Sequence, residues 1–194
     1  IADEIRKKGV DLRFNSDVET IEKSPDGSLK LKLNTGDWLE ADTVLYATGR
    51  KPHLDGLFGD GIDLQLTDSG HIDVNDRYET STGGIYALGD VTGGMELTPV
   101  ALEEGMALAK HLFDGQPCRL DYRNIATAVF CQPNIGMVGM TEEQARSDYA
   151  QVVKYRSTFR ALKHTLSGSA ERTLMKLLVD GETDRILGAH MVGP

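Results

Sequence analysis

The chain has 194 residues, of which 40% are hydrophobic and 26% charged, a balance typical of globular proteins. Its formal net charge of -9 argues against a surface for nucleic acid or anionic membranes, because no excess of lysine and arginine is present to neutralise phosphates. No apolar run approaches the length of a membrane-spanning helix.

The spacing of cysteine and histidine gives no sign of a metal site. Cys118 and Cys131 lie in unrelated contexts, which indicates ordinary thiols of a reducing compartment and favours a cytoplasmic protein. The five histidines share no spacing typical of metal ligands or of a catalytic triad, so we expect no bound metal.

The first part of the chain is predicted to form the end of a helix and a series of strands. Residues 1–8 are typical of the last turns of a helix that Gly9 terminates. Residues 43–47 are apolar enough to be a central strand. Alternating apolar and polar side chains predict four earlier strands, the last three forming a β-meander: 10–14, 18–22, 29–33 and 38–41.

A segment rich in Gly, Asp and Pro leads, by way of a short strand at 71–74, to the most informative part of the chain. Residues 85–91 are predicted to form a short buried strand that ends in Gly89 and Asp90. A long helix follows over 99–113, with Thr98 as its N-cap and Pro99 at its first position. Helical spacing predicts that one face is buried through Ala101, Gly105, Leu108, Ala109 and Leu112.

The C-terminal part is predicted to form a sheet of alternating strands and one short helix. Thr141 and Gln144 match a capping box, which predicts the start of that helix. The predicted strands are 126–130, 135–139, 152–156, 174–179 and 186–190.

Both ends of the sequence indicate a piece of a longer protein. Ile1 is not a methionine, and the helix it belongs to lacks a start. The strand pattern at the other end stops without a following element. We therefore expect an internal segment.

Gly89, Asp90 and Thr98 together suit a flavin. Asp90 would be a buried acceptor for ribityl hydroxyls, and a helix start at Thr98 would place partial positive charge near the N1/O2 edge of the ring. Gly89 would let the backbone approach the cofactor without a Cβ in the way. The alternative is an ordinary turn with a solvated aspartate.

Three segments, 47–52, 85–91 and 97–101, resemble in order and distance the class I pyridine nucleotide–disulfide oxidoreductases, which are FAD flavoproteins. Residues 159–168 are most similar to the glutathione reductases of bacterial and plant type. The resemblance implies a fold that mixes α/β and α+β architecture. It divides the chain into the end of an NAD(P)-binding domain, a segment of the FAD-binding domain and the first part of an antiparallel-sheet dimerisation domain: 1–50, 51–121 and 122–194.

The resemblance also implies roles for individual residues. The backbone N–H of Thr98 would contact the pyrimidine end of FAD, beside Gly89 and Asp90. Met106 occupies a position at which many relatives have an arginine that binds a glutathione carboxylate, so this chain departs from the pattern. The wall near the nicotinamide would be formed by Gly49, Arg50, Glu96 and Ala128.

The implied activity is that of an NADPH:disulfide oxidoreductase, with glutathione disulfide as substrate and a homodimer as the active form. Electrons would pass from NADPH to FAD, then to an active-site dithiol and finally to the substrate disulfide. The redox cysteine pair and the catalytic His–Glu pair are expected outside these residues, so no catalytic residue is assigned. The alternatives are another member of the family, such as dihydrolipoamide dehydrogenase, trypanothione reductase or mercuric reductase, or a binding or dimerisation module without catalysis.

Overall fold

The computed structural model describes residues 1–59 and 61–194, which form two compact units. One unit combines Ile1–Ala47 with Ala126–Pro194, and the other is Thr48–Ile125. The helices and strands in chain order are α1 (Ala2–Lys7), β1 (Val18–Lys23), β2 (Leu29–Leu33), β3 (Trp38–Ala41), α2 (Thr98–Asp114), β4 (Thr127–Val129), β5 (Asn134–Gly139), α3 (Glu142–Asp148), β6 (Val152–Phe159), α4 (His164–Ser167), β7 (Thr173–Asp180) and β8 (Ile186–Gly193).

The β-meander predicted for the first part of the chain is confirmed. Strands β1, β2 and β3 form an antiparallel sheet in that order. The Ser24 N–H donates to the Ser28 carbonyl at 2.9 Å, which closes the first turn where the sequence predicts it. Leu31 and Leu33 alternate along β2 and are buried, so the central strand supplies the core of this sheet.

The second sheet of the same unit is antiparallel, in the order β4-β5-β8-β7-β6. The predicted capping box is present, because the Gln144 N–H donates to Thr141 Oγ1 at 3.2 Å and Gln144 Oε1 accepts from the Thr141 N–H at 2.9 Å. Ala145 of α3 and Leu178 of β7 are fully buried and pack with Leu187. Helices combined with antiparallel sheets confirm the predicted mixed fold class.

The other unit contains little regular structure apart from α2. Single β-bridges join Leu66 to Ile72 and Glu79 to Tyr86, so the strand predicted at 71–74 is reduced to one bridge. Two small cores hold this unit together. One is formed by Leu64, Ile72 and Ala87, and the other by Tyr78, Leu108 and Cys118.

Three predicted strands are wrong, those at 10–14, 43–47 and 85–91. Each has an apolar pattern, but a strand is stable only with a hydrogen-bonded neighbour. Among residues 1–59 and 61–194, no segment pairs with 10–14 or 43–47, whereas 85–91 has one bridge and a few backbone hydrogen bonds to 72–80 in place of a continuous ladder. Leu45, in the middle of one of them, is accordingly 86% exposed.

The buried face of α2 differs in part from the predicted one. Ala109 and Leu112 are exposed, and the buried stripe consists of Val100, Glu104 and Leu108 at a spacing of four residues. The stripe therefore includes a carboxylate. In the described part of the chain, neither α2 nor any other helix has the length and apolar character that crossing a membrane requires.

Candidate cofactor site

Asp90 lies in a single turn of 3₁₀ helix, Gly89–Thr92, rather than at the end of a strand. Leu88 is extended, and Gly89 then turns the chain with a φ of 72°, in the left-handed region that glycine adopts without strain. The side chain of Asp90 is 52% exposed. The prediction of a buried acceptor is therefore wrong: the turn directs this carboxylate towards the surface.

The turn is packed tightly against α2 at Gly89. A Cβ placed on Gly89 would lie 3.1 Å from the Cβ of Ala101. The carbonyl of Gly89 accepts a hydrogen bond from the Thr92 hydroxyl at 2.8 Å, within the same turn. Both the left-handed backbone conformation and the closeness of the helix thus favour glycine at this position.

Helix α2 begins one residue earlier than the sequence predicts. Leu97 is its N-cap, and its carbonyl accepts from the Val100 and Ala101 N–H groups at 3.0 and 3.1 Å. Thr98 is therefore the first helical residue, and its hydroxyl caps nothing, which corrects the predicted N-cap. The Thr98 N–H still belongs to the first turn, where N–H groups have no acceptor within the helix.

Three of the predicted site residues meet at one cluster. Arg50 Nη2 lies 2.8 Å from Glu96 Oε2 and 3.5 Å from Asp90 Oδ2. Its side chain is 68% exposed, so these ion pairs contribute little to stability. They do place one guanidinium beside two carboxylates, at a cavity of about 270 Å³.

A histidine that the sequence did not assign to the site lies beneath this cluster. The largely buried His71 hydrogen-bonds through Nδ1 to the Ser69 hydroxyl at 2.9 Å. Its Nε2 is buried without a hydrogen bond, 3.9 Å from Glu96 Oε1. The ring also fills the space next to Gly93, where a Cβ would lie 2.7 Å from it.

The remaining predicted residues are placed in different parts of the fold. Gly49 has a φ of 128° with open space around it, so its backbone is unobstructed. Met106 lies on α2 and is 55% exposed. Ala128 belongs to the other unit, where it pairs with Gly136 between β4 and β5.

A buried polar network that the sequence did not predict lies behind the turn. Glu104, which is 5% exposed, accepts from the Gly89 N–H through Oε2 and from the Tyr122 hydroxyl through Oε1, both at 2.7 Å. The Tyr122 and Tyr78 hydroxyls are 2.9 Å apart. Burial, followed by the hydrogen bonds to Tyr78 and Glu104, raises the pKa of Tyr122 well above its ordinary value. The sequence signal for this network is Glu104 itself, which follows Val100 by four residues in a helix stripe that is otherwise apolar.

A family model described as pyridine nucleotide-disulphide oxidoreductase matches residues 1–105, more than half of the chain. The chain belongs to this family. A second model, the dimerisation domain of the pyridine nucleotide-disulphide oxidoreductases, matches residues 125–194. The resemblance inferred from the motifs is thereby confirmed.

Individual relatives within the family agree with this assignment. The chain is 45% identical over 193 residues to a glutathione reductase of Burkholderia cepacia, covering 100% of this chain and 43% of the relative. It is 43% identical over 185 residues to the chloroplastic/mitochondrial glutathione reductase of Pisum sativum, covering 95% and 34%. A solved Cu(II) complex of an HOCl-induced flavoprotein disulfide reductase from Escherichia coli superposes with a TM-score of 0.84 at 30% identity, over 100% of this chain and 44% of that one. The chain thus spans less than half the length of these relatives.

Proposed function

We propose that this chain forms part of an FAD-dependent NADPH:disulfide oxidoreductase that reduces glutathione disulfide. The observation that carries the proposal is the turn at Gly89, which packs against α2 and presents the carboxylate of Asp90 at the surface. The names of relatives at 43–45% identity support the choice of substrate. We place the redox cysteine pair and the catalytic His–Glu pair outside these residues, in keeping with the partial coverage of the relatives.

The residues present fit a flavin. The half-exposed carboxylate of Asp90 would accept hydrogen bonds from ribityl hydroxyls. The Thr98 N–H, together with the positive end of the α2 dipole, would face the pyrimidine edge of the ring. Gly89 keeps the backbone free of a side chain at the closest approach. When bound, FAD would accept a hydride from NADPH and supply two electrons for disulfide reduction.

The nicotinamide is proposed to lie near Gly49, Arg50 and Glu96. The Arg50–Glu96 ion pair supports this assignment, because it places the guanidinium beside Glu96 and Asp90 at the cavity of this cluster. Gly49 supports it through a left-handed backbone without a side chain, which allows close approach of a ligand.

We propose that residues 1–50, 51–121 and 122–194 belong to the NAD(P)-binding, FAD-binding and dimerisation domains. The transitions between compact units at 47/48 and 125/126 fall within four residues of these boundaries, and the first and last segments share one compact unit. We further propose a homodimer formed through the dimerisation domain. An apolar groove of about 580 Å³ on the five-stranded sheet supports it, with Met175, Leu177 and Met191 partly exposed in its wall.

The free thiols of Cys118 and Cys131 support a cytoplasmic location.

A second substrate is favoured by one residue. Met106 occupies the position at which many glutathione reductases carry an arginine. Trypanothione reductases also lack that arginine. A methionine offers no charge to a glutathione carboxylate. Rates of NADPH oxidation by the complete protein with glutathione disulfide and with trypanothione disulfide decide between the two substrates.

The proposed function is tested by replacing Asp90 with leucine in the complete protein. A leucine leaves the ribityl hydroxyls without an acceptor, which costs about 1–3 kcal/mol, or roughly 5- to 150-fold in FAD affinity. We expect the purified Asp90→Leu variant to carry much less FAD per chain by flavin absorbance. Asp68→Leu, which alters an exposed aspartate in a turn of the same unit, should retain the parental FAD content. Equal flavin in Asp90→Leu and the parent would show that Asp90 has no role in FAD binding.

A further inference from the structure

We propose that Glu104 is a positioning residue that holds Asp90 in place for the flavin through the Gly89 peptide. The inference rests on the proposed function, since it concerns the same FAD site. Glu104 Oε2 accepts from the N–H of Gly89 at 2.7 Å, and Gly89 directly precedes Asp90. The carbonyl of Gly89 is held by the Thr92 hydroxyl. The N–H and the carbonyl of Gly89 are therefore both hydrogen-bonded.

The burial of Glu104 is costly for a residue that only fills space. It lies between Val100 and Leu108 in the buried stripe of α2, where an apolar side chain would avoid removing a carboxylate from water. Its two oxygens are satisfied by an N–H and an O–H, and no ion pair to it occurs in the described part of the chain. A carboxylate is an acceptor that can serve two donors from different segments at once.

The second donor fixes the orientation of the carboxylate. The Tyr122 hydroxyl has one hydrogen and donates it to Glu104, so the Tyr78 hydroxyl must donate to Tyr122. Tyr78 is buried and adopts a φ of 60°, a left-handed conformation that is rare for an aromatic residue. The donors from Tyr78 through Tyr122 therefore run in one direction and end at Glu104, which accepts the Gly89 N–H through its other oxygen.

Two substitutions at Glu104 distinguish positioning from simple packing. Alanine removes the acceptor of the Gly89 N–H. Glutamine keeps it, because its Oε1 can accept from Gly89 while its Nε2 donates to the Tyr122 hydroxyl, which then donates to Tyr78. The matched control is Leu108→Ala, one turn further along the same buried stripe, which shortens an apolar core side chain and removes no hydrogen bond to the Gly89–Thr92 turn.

The experiment measures FAD binding and thermal unfolding of the complete protein and its variants. FAD affinity is determined by fluorescence after removal and re-addition of the cofactor, and the shape of the flavin absorbance bands is recorded. We expect Glu104→Ala to weaken FAD binding by about tenfold or more, corresponding to about 1.4 kcal/mol. Glu104→Gln should stay within about threefold of the parent. Leu108→Ala should lower the thermal midpoint at least as much as Glu104→Ala, with parental FAD affinity.

Each other outcome overturns the inference. Parental FAD affinity in Glu104→Ala would show that Asp90 needs no support from this side chain. An equal loss of affinity in Leu108→Ala and Glu104→Ala would show that Glu104 acts only through stability. An equal loss in Glu104→Gln and Glu104→Ala would show that the acceptor for Gly89 is irrelevant. Failure of the proposed function is distinguishable, because Asp90→Leu would then bind FAD like the parent.

Discussion

Replacing Gly89 with alanine should destabilise the unit formed by Thr48–Ile125 through two separable effects. The first is the φ of 72°, since the left-handed conformation costs an L-residue about 1–2 kcal/mol. The second is the new Cβ, 3.1 Å from the Cβ of Ala101, where carbons pack best at about 3.5–4.0 Å. Overpacking of this kind typically costs about 1–3 kcal/mol. The sum is about 2–5 kcal/mol.

Gly115→Ala separates the two effects. Gly115 follows α2 with a φ of 65° and has open space around it, so alanine there meets only the conformational cost. We expect Gly89→Ala to be more destabilising than Gly115→Ala by about 1–3 kcal/mol, the steric share alone. In a background carrying Ala101→Gly, which itself costs about 1 kcal/mol in a helix, this excess should largely disappear.

Urea unfolding of the chain provides the measurement. Circular dichroism at the helical band reports on α2, which at 17 residues is the longest helix in the described part of the chain, while the single tryptophan, Trp38 on β3, reports by fluorescence on the other unit. Equal free energies of unfolding for Gly89→Ala and Gly115→Ala would refute the steric reasoning. So would strict additivity of Gly89→Ala and Ala101→Gly.

Two further predictions concern the unit that carries both sheets. Hydrogen bonds from Lys154 and Arg146 lower the pKa of Glu142 from 4.5 to about 2, so its ionised form stabilises the fold above pH 4.5 and this stabilisation is lost as pH falls towards 2. Glu142→Gln should lower the thermal midpoint at pH 7, and its deficit should shrink between pH 4.5 and 2, whereas the profile of Glu143→Gln should match the parent. For the proposed homodimer, sedimentation velocity of the complete protein should show a dimer that Leu177→Asp converts to monomer; a monomeric parent at micromolar concentration would contradict the interface.

Structural features that depend on residues close together in the sequence could be predicted from it. The meander follows from alternation along residues 18–41 and from turn residues between the strands. The capping box at Thr141 is likewise local, since both of its hydrogen bonds join residues three positions apart. The same reasoning misplaced the start of α2 by one residue, because the carbonyl of Leu97 and not the Thr98 side chain marks where its hydrogen bonding begins.

Features that depend on distant residues could not be predicted in this way. The apolar runs at 43–47 and 85–91 carry no information about whether a neighbouring strand is present, so periodicity predicted strands that are absent. Arg50 and Glu96 were each assigned to the site, but their ion pair joins positions 46 residues apart. Only the folded chain shows that Arg50 also lies within 3.5 Å of Asp90.

The site contains residues that would touch the cofactor and residues that hold those residues in place. The two groups differ in how much their removal should change stability. The pairing of Arg50 with Glu96 is exposed, so its contribution to stability is about 0–1 kcal/mol. The buried acceptor that Glu104 offers to Gly89 is different, because an unpaired buried N–H costs about 1–3 kcal/mol. The geometry of Asp90 is therefore determined mainly from the buried side of its turn. A motif built around Asp90 identifies the surface residues, whereas the supporting residue is found by asking why a carboxylate interrupts an apolar helix stripe.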